Sequence, residues 1–61
     1  MKTMYYANTQ VVHDELETTL DVQVTADDAE TLEKRQRQIG TMLDEQGFRL
    51  VTDYGWDVGV F

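Results

Sequence analysis

Sixty-one residues carrying twelve acids against five bases, a formal charge of −7 at pH 7, describe one small acidic domain spanning 1–61, too short for a second core. A surface of that sign repels nucleic-acid phosphates and anionic membranes and attracts basic surfaces. Without cysteine, disulfides and thiolate zinc sites are excluded, and a reducing compartment fits.

A chain of this size buries only about 60% of its unfolded surface, and its core supplies about 3–5 kcal/mol, so marginal stability or oligomerisation is expected. The 41% hydrophobic content argues against disorder. MKTMYYANTQVV has no long apolar run and no small-residue cleavage site, which argues against a signal peptide. No segment approaches the roughly 18 apolar residues of a membrane span. A cytoplasmic protein is the expectation.

Residues 4–12 read as a first strand, with Met4, Tyr6, Asn8, Gln10 and Val12 on one face and Tyr5, Ala7, Thr9 and Val11 on the other. Neither face is cleanly apolar. His13 to Glu17 is polar and lacks Asn-Gly, which predicts a hairpin connection of about 3–5 residues. Residues 18–24 form the clearest strand, alternating Leu20, Val22 and Val24 with Thr19, Asp21 and Gln23.

Residues 25–47, TADDAETLEKRQRQIGTMLDEQG, read as the only helix. Thr25 and Asp28 have capping-box spacing, acids crowd the first turns where the helix dipole favours them, and Gly47 stands where a C′ glycine ends a helix. Glu30 with Lys34 and Glu33 with Arg37 have i,i+4 spacing. Ala29, Leu32, Gln36, Ile39, Gly40 and Leu43 share one face at about 100° per residue. Gln36 and Gly40 interrupt that stripe. A mid-helix glycine costs roughly 1 kcal/mol against alanine, so Gly40 marks either a close approach by a strand or partner or a lightly packed site. Asp44 and Glu45 sit at the unfavourable end of the dipole, where Arg49 is a candidate neutraliser.

Residues 48–54 read as a third strand, with Phe48, Leu50 and Thr52 toward the helix and Arg49, Val51 and Asp53 away. Gly55 permits a hairpin into a short fourth strand, which is the preferred reading, or a bulge in one long strand. The predicted fold is α+β: a small two-layer β-β-α-β(-β) domain, one helix packed on one face of a three- or four-stranded sheet. The crossover through the helix makes the second and third strands parallel. The open face is then assigned Tyr5, Val11, Thr19, Asp21, Gln23, Arg49, Val51 and Asp53, a candidate interface.

Chemistry finds little foothold. His13 beside Asp14 and Glu15 is the only His–carboxylate neighbourhood, and sequence neighbours on a loop rarely achieve base-and-orienter geometry. There is no serine or cysteine nucleophile, and a domain this small is expected to lack a pocket of several hundred Å3. HDELE has neither calcium-loop spacing nor the His or Cys pair of a zinc site. GWDVG is followed by no helix N-terminus to cradle a phosphate. A base-stacking platform from Tyr5, Tyr54 and Trp56 is opposed by charge, since the basic cluster Lys34, Arg35 and Arg37 lies on the helix. No enzymatic activity, metal or cofactor is expected.

Protein binding remains. Trp and Tyr are the usual interface anchors, and Tyr54 and Trp56 lie between Asp53 and Asp57. With Asp14, Glu15, Glu17 and Asp21 they are the candidate partner-binding residues. In size, acidity and strand–helix layout the chain resembles small phage inhibitors of host polymerase or nuclease machinery. That layout implies an inhibitor encoded by a phage or mobile element, a DNA mimic occupying the basic nucleic-acid groove of a host enzyme without touching nucleic acid itself. The alternative is a homodimeric structural or assembly domain pairing through its open sheet face or an edge strand.

Overall fold

The computed structural model describes residues 2–61. Its elements run β1 (Thr3–His13), β2 (Thr18–Ala26), α1 (Ala29–Glu45) and β3 (Arg49–Val60). The strands form one antiparallel sheet in the order β2-β1-β3. This is the expected α+β, β-β-α-β domain, with three strands. β2 and β3 run in the same direction, as anticipated, but β1 lies between them.

β1 and β2 form the hairpin, joined through residues 14–17. Tyr5 pairs with Ala26, Ala7 with Val24, Thr9 with Val22 and Val11 with Leu20, so the odd positions of β1 and the even positions of β2 share a face. The helix covers that face. Ala7, Val24, Ala26 and Leu32 form the buried cluster, with Tyr5, Val22 and Ile39 packed against it. Tyr5 and Val11 therefore lie on the helix side, which corrects their assignment to the open face. Ala7 decides the matter: its small side chain lets α1 settle close, whereas Met4, Tyr6 and Gln10 opposite remain half-buried.

The helix starts later than the sequence implies. Thr25 and Ala26 continue β2, paired with Tyr6 and Tyr5, so Thr25 is not the cap. Asp28, expected to support the cap, is the cap: its backbone is extended and its Oδ1 accepts from Thr31 N at 2.7 Å. The Thr25 carbonyl instead accepts from Arg35 Nη1 at 2.8 Å, tying helix to strand. The C-terminus ends as predicted. Gly47 has φ +93°, its N–H donates to Asp44 O at 3.0 Å, and Phe48 N donates to Leu43 O at 3.0 Å, which is the two-bond Schellman arrangement.

β3 is one long strand. The preferred short fourth strand is not formed, because two bulges absorb the irregular sequence. One residue too many lies on β3 between the Val11–Leu50 and Gln10–Thr52 pairs, and another between Thr9–Asp53 and Ala7–Trp56. Gly55, in the second bulge, has φ +78°. The first bulge reverses the expected faces. Thr52 pairs with Gln10 and turns from the helix, while Asp53 pairs with Thr9 and faces it. Beyond Val60 the ladder continues, Lys2 and Phe61 exchanging N–H···O bonds of 2.7 and 2.8 Å.

α1 lies over β2 and β1 rather than over β3. Seventeen helical residues reach about 25 Å, whereas the molecule extends 41 × 17 × 15 Å. The surface area is 4637 Å2, against about 4,100 Å2 for a compact monomer of this mass. The radius of gyration is 12.5 Å, against about 10.5 Å for this length.

Candidate functional site

The proposed partner-binding residues fall into three places. Asp14, Glu15 and Glu17 occupy the hairpin turn, all exposed. Asp14 is engaged: Arg49 Nε and Nη2 donate to its two carboxylate oxygens at 2.9 and 3.1 Å, a bidentate pair. The Arg49 hydrogen bond holds the Asp14 carboxyl below its ordinary value, and the same bond raises Arg49. Arg49 thus joins β3 to the hairpin and does not neutralise Asp44 or Glu45. Among the described residues the other close ion pair is Lys2 with Asp27 at 3.2 Å. Glu30 with Lys34 and Glu33 with Arg37 do not form close pairs.

His13 is built into the scaffold. Its Nδ1 accepts from Leu16 N at 3.2 Å, and its ring meets Phe48 edge-on with centroids 5.1 Å apart. Asp21 pairs with Gln10 on the face away from the helix, two strands from β3.

The remaining four residues lie on β3 but divide between its faces. Asp53 and Trp56, opposite Thr9 and Ala7, face the helix side, whereas Asp57, opposite Tyr6, faces away. Tyr54 lies in the second bulge and is exposed. Asp53 Oδ1 accepts from Gly55 N and Asp57 Oδ1 from Val58 N, each at 2.8 Å. Trp56 does not fill the core. It is 60% exposed, leaning on Tyr5 with ring centroids 5.9 Å apart.

Around these residues β3 displays an apolar surface. Leu50 (58%), Val58 and Val60 on the helix side, and Phe61 (70%) on the other, are open to solvent. Phe61 packs edge-on against Tyr6 at 6.4 Å over Gly59, where a Cβ would lie 2.9 Å from the Phe61 ring.

Sequence reasoning missed a groove of 220 Å3 beneath the second half of α1. Gln36, Ile39, Gly40 and Leu43 line the helix wall and Leu50 and Asp53 the β3 wall, with buried Ala7, Val11 and Val24 in the floor. Its signal was present in the Gln36 and Gly40 interruptions. No strand approaches Gly40: a Cβ there would meet no atom within 4 Å. Two shallower depressions of 380 and 420 Å3, one beside Trp56, Glu30 and Glu33 and one at the hairpin turn, exceed the volume expected for so small a domain. Both are open surface hollows.

Among the described residues no three His, Cys, Asp or Glu side chains gather into a metal-holding group, and no helix is long and apolar enough to cross a membrane. Comparison with protein-family models, curated proteins and solved structures found no match. What fold and surface define is a class: a two-layer α+β domain whose third strand is left uncovered.

Proposed function

We propose that this protein is a small acidic binding module that engages a basic surface of another protein through the β3 side of the molecule. One observation carries the reading: an exposed aromatic and aliphatic strand, centred on Trp56, on a chain of charge −7. Large exposed apolar patches rimmed by polar residues mark interaction sites, and charge of one sign steers a partner of the other. In its finer form the partner is a nucleic-acid-processing enzyme of a host cell, the module a phage or mobile-element inhibitor seated in the phosphate-binding groove. Tagged protein incubated with host lysate should retain such an enzyme at low salt and release it at high salt or on addition of DNA. Capture insensitive to both would rule out the inhibitor.

A second reading has its own observation. The face away from the helix carries half-buried Met4, Tyr6 and Val12 together with Phe61, an apolar patch that a second copy would cover. Sedimentation at rising concentration tests it. A Tyr6→Asp variant as dimeric as the parent would exclude that face.

A further inference from the structure

Resting on the acidic-module reading, we infer that the groove between α1 and β3 is the docking site for one kind of occupant, a basic amphipathic helix of a partner protein. Three independent observations converge on it. Gly40 is the first. A glycine inside a helix is retained against its intrinsic cost when something needs the space, and here nothing within the chain fills it. The groove, 220 Å3 with Ala7, Val11 and Val24 in its floor, suits apolar side chains presented from a partner.

The second observation is charge. Asp53 stands on the groove wall, and Glu30 and Glu33 border the adjoining hollow that ends at Trp56. Gln36 belongs to both depressions, so the apolar floor continues from one to the other, with Asp53 on the β3 wall of the first and Glu30 and Glu33 beside the second. An occupant with apolar residues at i, i+3 and i+4 and Lys or Arg flanking them matches that arrangement. A second copy of this chain, itself −7, does not.

The third observation separates a helix from a strand. An incoming strand needs free backbone donors along an edge. On β3 the N–H groups of Gly55 and Val58 are already taken by the carboxylates of Asp53 and Asp57. That stretch of the edge, beside Trp56, is blunted while the adjacent face stays open.

Trp56 is the only tryptophan, so its fluorescence reports the site directly. The full chain would be titrated with a synthetic Leu/Lys peptide patterned as an amphipathic helix, and with its scrambled isomer of equal charge. The expected result is a blue-shifted Trp56 emission and affinity for the patterned peptide at least about tenfold above the scrambled one. Gly40→Leu, which fills the groove, should lose that margin with the circular dichroism spectrum retained, and Gln23→Lys on the far face should keep it. Equal affinity for both peptides, or an unaffected Gly40→Leu variant, would overturn the groove and leave the acidic module standing. Binding of neither peptide at low salt would overturn both. Self-association that buries Trp56 would assign the groove to a second copy and likewise overturn the inference.

Discussion

The imidazole of His13 occupies the space that a side chain on Gly47 would need, its Nε2 2.7 Å from the position of a Cβ. Hairpin end and helix end are thereby interlocked, with Phe48 closing over the ring. Gly47 is required twice, by its positive φ and by its neighbour. Gly47→Ala should destabilise the domain by about 1–3 kcal/mol, read as a lower midpoint in urea. A substitution without effect would show that the hairpin end moves freely.

Gly40 makes the opposite case. Its φ lies outside the left-handed region and the space above it is empty, so Gly40→Ala should stabilise the isolated domain by about 1 kcal/mol. A thermal melt checks this. A loss of stability would mean that α1 lies closer to β3 than the groove allows.

Acid should weaken the fold through two carboxylates. Asp14 is held below its ordinary value of 3.8 by the Arg49 hydrogen bond, and Asp28 below the same value by the hydrogen bond from Thr31. A depressed folded pKa contributes stability that is complete above the unfolded value and is lost as pH falls through the folded one. Melting temperature should therefore hold from pH 7 to about pH 4 and fall below it. Arg49→Gln should flatten the portion of that fall due to Asp14.

The helix cap separates charge from hydrogen bonding. Asp28→Asn keeps an acceptor for Thr31 N but removes the titrating group, so the melting temperature near neutrality should be nearly preserved and its acid dependence reduced. Asp28→Ala removes both and should lower it at every pH. Equal melts for the two variants would mean that Thr31 N is satisfied by water.

Leu32 is the largest fully buried side chain, 2% exposed. Leu32→Ala removes about 2–5 kcal/mol, comparable with the roughly 3–5 kcal/mol that a core of this size supplies. The variant should be largely unfolded by circular dichroism at 25 °C.

The element order, the hairpin, the Gly47 stop and the class of fold were legible because each rests on local chemistry. Thr25 misled because β2 continues through it: pairing of Ala26 with Tyr5, far away in sequence, outcompetes a local capping box. The faces of β1 were ambiguous in a strand with weak alternation, and the helix resolved them by settling over Ala7. β3 defeated a period-two reading because each bulge shifts the alternation by one residue. At the candidate site, Trp56, Asp53 and Gly40 all stood out in the sequence. Their joint placement did not, since it depends on where the helix stops covering the sheet.

The two bulges carry one more consequence. β3 uses the twelve residues of Arg49–Val60 against a shorter run of β1, so Val51 and one residue of the Tyr54–Gly55 pair are surplus to the pairing. Losing either surplus residue would leave Trp56 opposite Ala7 and Asp53 opposite Thr9. A one-residue deletion at either bulge is therefore expected to preserve the faces of the rest of β3, which circular dichroism and Trp56 emission of the shortened chain would check.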